Sequence, residues 1–160
     1  MPMVLMVCTA NLCRSPMAEA LLRVRLARDE ARRDWQVESA GVWTSDGNLP
    51  SRGAVEEMAR GGIDLRSHRS RNITLEMVAR ADVVLVMTRH HAEALAVAFP
   101  DHSPKIHLLS EMAGPAYDIE DPYGGTAADY AATAHELERL IEAGYERIVA
   151  LVEGRGPAGG

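Results

Sequence analysis

The chain opens on a continuous apolar run, Met3 to Cys8 (MVLMVC), whose length and following turn predict a buried strand of a parallel sheet. From Pro16 to about Arg32 the pattern is helical, with Met17, Ala20, Leu21, Val24 and Ala27 on one face and arginines on the other. Trp35 to Ala40 alternates and predicts a second strand. Residues 41–50 form a loop with Asp46-Gly47-Asn48 as its turn, and Ser51 to Arg60 a helix stopped by Gly61-Gly62. Residues 63–72 are polar, arginine-rich and expected to be irregular. Thr74 to Ala79 fits a short helix capped by Ile73 or Thr74, Asp82 to Met87 a third strand, Arg89 to Phe99 a helix ended by Pro100, and Lys105 to Leu109 a fourth strand. Glu111 to Gly125 is a long loop of the kind that often carries function. Ala127 to about Glu153 is the closing helix, with Tyr130, Ala134, Leu137, Ile141 and Ile148 on its core face. Residues 154–160 (GRGPAGG) offer nothing to pack and are expected to be a disordered tail.

This strand–helix alternation predicts an α/β three-layer sandwich. A four-stranded parallel sheet, order 2-1-3-4, carries helices on both faces, and residues 1–153 form one domain. The first strand is then central, and the loop leaving it lies at the topological switch point, where such sheets bind ligands.

Composition narrows the function. The chain has 160 residues, 47% apolar and 25% charged, with a net charge of −6. That charge argues against a general nucleic-acid or anionic-membrane binder, so any anion site must be local. No apolar run approaches the ~20 residues of a membrane span. No charged segment precedes the first apolar run, so a signal peptide is not expected and a cytoplasmic location is. Two cysteines in one turn make no disulfide framework and are too few for a structural zinc site without histidine help. The six histidines show no HExxH spacing, and His90-His91, if helical, would point about 100° apart. Neither a metal nor a cofactor is expected.

The chemistry concentrates in Cys8-Thr9-Ala10-Asn11-Leu12-Cys13-Arg14-Ser15-Pro16. With Ser15 as N-cap and Pro16 as first helical residue, the turn aims its backbone N–H groups and a helix dipole at one small volume. Such a volume suits a phosphate-like oxyanion held by residues 9–15, that is Thr9, Ala10, Asn11, Leu12, Cys13, Arg14 and Ser15, and its field favours the reactive thiolate of Cys8. A thiolate attacks phosphorus or arsenic without a separate base. Arg14 offers a planar fork for two oxyanion oxygens. The amides between them would stabilise a trigonal-bipyramidal transition state. Ser15 is placed to donate to the sulfur, and Asn11 tolerates a left-handed backbone. A cysteine ending a buried strand is otherwise a small core hydrophobe. The strand before it and the helix after it favour the chemical reading.

Residues Val7 to Glu19 resemble the signature of the low-molecular-weight protein tyrosine phosphatase family. The resemblance extends over most of the chain, through Glu38-Ser39-Ala40-Gly41, His68-Arg69-Ser70-Arg71, Asp82 to Met87 and Asp121-Pro122-Tyr123. Ala10 departs from it, standing where glycine is usual, so that peptide must accept a negative φ. The resemblance implies the phosphotyrosine protein phosphatase I-like fold and a two-step reaction without a cofactor. Cys8 takes the phosphoryl group as phosphocysteine. Asp121 protonates the leaving group and then activates the water that releases phosphate. On sequence alone Asp121 reads equally as a turn aspartate before proline. Family members with the same cysteine pair imply that Cys13 forms a reversible disulfide with Cys8 against overoxidation, the alternative being loop packing. His68 is placed to brace Asn11 or Ser15, or else to be solvated.

The expected partner is a phosphorylated protein or peptide, met by a monomer or weak dimer. Leu12, Trp43 and Tyr123 are the expected rim, able to sandwich an aromatic ring. The sequence is divided on the substrate. Asp-Pro-aromatic followed by Gly124-Gly125 resembles the protein arginine phosphatase branch, whereas that branch typically has threonine where Leu12 stands. Leu12 would touch the substrate, which favours phosphotyrosine over phosphoarginine. An arsenate reductase on the same scaffold ranks lower, since thioredoxin-coupled versions need cysteines beyond Cys13. A non-catalytic phosphoprotein-binding module is disfavoured by the presence of Cys8, Arg14 and Asp121 together.

Overall fold

The computed structural model describes residues 1–154. The expected tail, 154–160, lies outside them except for Gly154. Four strands, β1 (Met3–Cys8), β2 (Gln36–Gly41), β3 (Val83–Val86) and β4 (Ile106–Leu108), form one parallel sheet in the order β2-β1-β3-β4. This is the predicted order. Five helices cover it: α1 (Arg14–Ala27), α2 (Arg52–Arg60), α3 (Leu75–Arg80), α4 (Arg89–Ala98) and α5 (Ala127–Val152).

The central strand explains the layering. All six residues of β1 are buried. Val4, Met6 and Cys8 join a core with Met17 and Leu22 of α1 and Leu137 and Ile141 of α5. Met3, Leu5 and Val7 join a second core with Val78 of α3 and Leu95 of α4. A strand apolar on both faces must be covered on both, which is why its sequence runs continuously apolar instead of alternating.

Local chemistry moves several boundaries. Thr74 caps α3, accepting from the Met77 N–H at 3.2 Å. The first helix ends at Ala27 rather than near Arg32, because Asp29 turns inward to the Tyr145 hydroxyl at 2.6 Å and to Arg32 at 3.0 Å. Its start also differs. Arg14 and Ser15 are already helical and Cys13 holds the N-cap position, so Ser15 is not the cap. Its buried residues include Ser15, Met17, Ala18, Glu19, Leu22 and Leu26, with Ala20 and Leu21 partly buried against the core, while Val24 is exposed. The predicted stripe holds at Met17, Ala20 and Leu21 and fails at Val24 and Ala27, which are exposed, while Ser15 is buried facing the loop. The long loop after β4 begins with a 3-10 turn, Leu109–Met112.

Gly41 ends β2 where it must remain glycine. A Cβ there would stand 2.7 Å from the Thr9 carbonyl oxygen and 3.0 Å from the Ala10 carbonyl carbon. Its lack of a side chain lets the loop after β1 pass against β2.

Candidate active site

Cys8, Thr9, Ala10, Leu12, Cys13, Arg14, Asp121 and Tyr123 surround a cleft of about 280 Å³. It lies at the carboxyl end of β1, the switch point of the sheet. A larger cleft of about 490 Å³, among Arg23, Glu38, Arg69, Arg71 and Arg80, holds no sulfur nucleophile, so size does not locate the chemistry.

The loop between β1 and α1 is held from behind. Asn11 adopts φ 61°, the left-handed conformation its side chain tolerates. Ala10 is not among the residues with positive φ, so the alanine departure is accommodated. The Asn11 amide donates to Ser15 Oγ at 2.8 Å and Ser39 Oγ at 2.9 Å, and its oxygen accepts from the Arg71 N–H at 3.0 Å. Ser39 in turn donates to the buried Glu19 at 2.5 Å. His68 Nε2 meets the Asn11 carbonyl at 2.8 Å, so it braces the Asn11 backbone and not Ser15. Glu19 and Ser39 belong to motifs legible in the sequence, but their link to Asn11 emerges only in three dimensions.

Cys8 Sγ lies 2.9 Å from Ser15 Oγ. Because Ser15 already accepts from Asn11, its own proton is free to point at the sulfur, the arrangement a thiolate needs. Arg14 is almost fully buried. Its Nη1 donates to the Ile119 carbonyl at 2.8 Å, and Nη2 lies 3.4 Å from Thr9 Oγ1 and 3.6 Å from Asp121 Oδ2. Its buried Nε has no hydrogen-bond partner among the described residues, leaving a donor suited to an anionic oxygen. Ile119 is tied through its N–H to the Met87 carbonyl at 3.0 Å. The long loop is thus fastened, two residues before Asp121, to the residue that follows β3. The Tyr123 N–H donates to Asp121 Oδ1 at 3.1 Å and orients the carboxylate.

Cys13 is buried and lines the same cleft as Cys8. Its sulfur faces Ser51 Oγ at 3.0 Å and the Tyr130 hydroxyl at 3.6 Å. Burial pushes its thiol upward, against the opposing effect of those two hydroxyls. Both cysteines are free. Tyr130 is itself pushed up to about 12, chiefly by burial. Neither Ser51 nor Tyr130 carried a sequence signal for this role.

The expected rim divides. Leu12 and Tyr123 line the cleft, whereas Trp43 does not. The Trp43 backbone N–H donates to the Thr9 carbonyl at 3.1 Å, but its side chain is 84% exposed. Gly124-Gly125 serves the turn into α5. Gly124 has φ +79°, and a Cβ on Gly125 would meet Asp129 Oδ2 at 2.5 Å and the Pro122 carbonyl oxygen at 2.9 Å. Among the described residues, no group of three or more His, Cys, Asp or Glu is arranged to hold a metal ion. No helix among them is long and apolar enough to cross a membrane.

The model of the low molecular weight phosphotyrosine protein phosphatase family matches residues 3–152. The chain is 36% identical over 148 residues to a probable low molecular weight protein-tyrosine-phosphatase, EpsP, of Ralstonia nicotianae, covering 92% of this chain and 97% of that protein. It is 38% identical over 139 residues to a protein-arginine-phosphatase of Bacillus subtilis, covering 86% and 91%. Among solved structures it resembles a cysteine-to-serine mutant of the arginine phosphatase YwlE whose active-site serine is phosphorylated, with a TM-score of 0.84, 35% identity and coverage of 92% and 95%. This chain belongs to the low molecular weight phosphotyrosine protein phosphatase family.

Proposed function

We propose that this cysteine-based phosphatase hydrolyses phosphotyrosine in proteins, with Cys8 as nucleophile, Arg14 as oxyanion clamp and Asp121 as proton donor and acceptor. The observation that carries the reading is the convergence of the Cys8 sulfur, the Arg14 guanidinium and the Asp121 carboxylate on one small cleft. In the first step the Cys8 sulfur attacks phosphorus and the P–O bond to the tyrosine breaks. The backbone N–H groups of residues 9–15 and the free donors of Arg14 receive the equatorial oxygens, and Asp121 gives its proton to the departing phenolate. In the second step water attacks phosphocysteine, Asp121 takes the water proton, and phosphate leaves with the Cys8 thiolate restored. Residues 1–153 act here as one phosphatase domain.

Two observations bear on the substrate. Leu12 sits in the cleft lining, where it offers an apolar face to a phenyl ring. The glycines after Tyr123, which favoured phosphoarginine on sequence grounds, are accounted for by turn geometry and by packing on Asp129. A second reading, phosphoarginine hydrolysis, draws on the 38% identity to a protein-arginine-phosphatase. Hydrolysis of p-nitrophenyl phosphate, abolished in Cys8→Ser, tests the mechanism. Peptides carrying phosphotyrosine or phosphoarginine at matched concentration test the preference, and faster release from phosphoarginine overturns it.

Cys13 serves on this reading as the resolving thiol. Peroxide oxidises the Cys8 thiolate to sulfenic acid. The Cys13 thiol then attacks that sulfur, a disulfide forms, water leaves, and an external dithiol later reduces the bond.

A further inference from the structure

The first turn of α4 carries a histidine that the mechanism above does not use. His91 is 3% exposed. Its backbone N–H donates to the Thr88 hydroxyl at 3.2 Å, and the Thr88 N–H donates to its Nδ1 at 3.2 Å. This is a capping box with histidine at the position where glutamate or glutamine usually closes the ring. Either of those would cap the helix, so the cap alone does not call for an imidazole. What the ring adds is a second nitrogen. Nδ1 acts as an acceptor, so in the neutral ring the proton sits on Nε2. Nε2 lies 2.8 Å from Oγ1 of Thr9, the residue directly after the nucleophile.

Thr9 Oγ1 therefore receives a hydrogen bond from His91 and lies 3.4 Å from Arg14 Nη2, which can only donate. Two donors occupy the acceptor side of the hydroxyl. Its own proton must point elsewhere, and Thr9 lines the cleft beside Cys8. We infer that His91 is a positioning residue for the phosphatase reaction, fixing the Thr9 hydroxyl as a donor toward the bound phosphoryl group and as a support for Arg14. The inference rests on the phosphatase reading above. The charge state agrees with it. Burial first, then Arg14 and His90, lower the His91 pKa to about 4 against the opposite pull of Asp118 and Asp121. At neutral pH the ring is uncharged, so it neither repels Arg14 nor competes with it for the anion.

Two substitutions separate this role from the cap. In His91→Asn the new side-chain oxygen takes the place of Nδ1 and keeps the Thr88 contact, but nothing reaches Thr9. In His91→Gln the new amide N–H takes the place of Nε2. Steady-state hydrolysis of p-nitrophenyl phosphate is measured for wild type, His91→Asn, His91→Gln and Thr9→Val, with thermal unfolding as control. The expected result is a fall in kcat of about tenfold in His91→Asn, with KM changed less, and recovery of most of that loss in His91→Gln. Thr9→Val should match His91→Asn, and the double variant Thr9→Val/His91→Asn should lose little more. Equal kcat in His91→Asn and wild type, or equal losses in His91→Asn and His91→Gln, overturns the inference. Thr9→Val leaves the α4 cap intact, so if both histidine variants fail to fold, an unchanged kcat in Thr9→Val overturns it alone. An inactive wild type instead overturns the phosphatase reading.

Discussion

The Ser15 hydroxyl stands 2.9 Å from the Cys8 sulfur and 2.8 Å from the Asn11 amide. One side chain thus joins the Cys8 sulfur to the residue that shapes the loop. The helix begins at Arg14 rather than at Pro16, which turns Ser15 inward to make both contacts. Ser15→Ala should remove the hydroxyl that steadies the thiolate while leaving phosphate binding largely intact. The expected loss in kcat is roughly tenfold to a hundredfold, from a hydrogen bond to a charged group worth about 1.5–3 kcal/mol. Kinetics with p-nitrophenyl phosphate decide it, and a kcat equal to wild type removes the role.

Asn11 should matter more for stability than for direct chemistry. Asn11→Ala places an ordinary residue at φ 61° and strands the partners Ser39 and Arg71. The expected destabilisation is on the order of 2–4 kcal/mol, or about 6–12 °C in Tm. Asn11→Gly relieves the backbone strain without restoring the contacts. Its Tm should lie between those of wild type and Asn11→Ala, and a Tm no better than that of Asn11→Ala shows that strain contributes nothing.

Asp121 is tested through the leaving group. If it protonates the departing oxygen, Asp121→Asn should lower kcat/KM about 10²-fold to 10⁴-fold for phenyl phosphate, whose leaving group needs the proton. The loss should be smaller for p-nitrophenyl phosphate, whose leaving group departs more readily as an anion. Equal losses in kcat/KM for the two substrates would remove the proton-donor role, because kcat/KM ends at the step in which the leaving group departs.

The resolving role of Cys13 has its own measurement. Wild type inactivated by peroxide should regain activity on addition of dithiothreitol. Cys13→Ala should be inactivated as fast but recover less, because its sulfenic acid proceeds to the sulfinic state. For the disulfide to form, the Cys13 sulfur must leave Ser51 and Tyr130. Ser51→Ala should therefore speed its formation, read as the rate of thiol loss by mass spectrometry, and an unchanged rate counts against this path.

Stability should weaken in mild acid. Burial lowers the pKa of His91 to about 4, with Arg14 and His90 adding to the effect and Asp118 and Asp121 opposing it. Burial also lowers His107, with Arg147 acting the same way and Glu111 against it. The folded protein thus refuses protons that the unfolded histidines accept. The stability is fully present above about pH 6.5 and is lost progressively as pH falls toward about 4. Urea unfolding at pH 7.5 and 5.0 should differ by about 1–2 kcal/mol through His91. In His91→Gln that part of the difference should vanish, and an undiminished pH dependence assigns the effect to other groups.

Much of this architecture is written locally. The continuous apolar run of β1, the separate strands after it and the helical stripe of α5 predict the parallel sheet, because a strand without polar positions has only one way to be buried. The loop from Cys8 to Arg14 is legible for the same reason: cysteine, arginine and helix start follow one another in the chain, so their proximity needs no tertiary information. Asp121 is different. More than a hundred residues separate it from Arg14, and the chain around it reads equally as an ordinary turn.

What the sequence alone determined is the order of strands and the loop that leaves the first of them, each a matter of neighbouring residues and their period. Only the tertiary structure decided that Ser15 of α1 reaches the Cys8 sulfur and that the apolar stripe of α1 leaves Val24 exposed. Only it placed Trp43 outside the cleft, tied Asp121 to Arg14 through Ile119, and brought His91 to Thr9. The physical reason is common to all of these. Hydrogen bonds depend on direction and on distances held to within a few tenths of an ångström, and direction at a site built from several separate segments exists only once those segments are packed together.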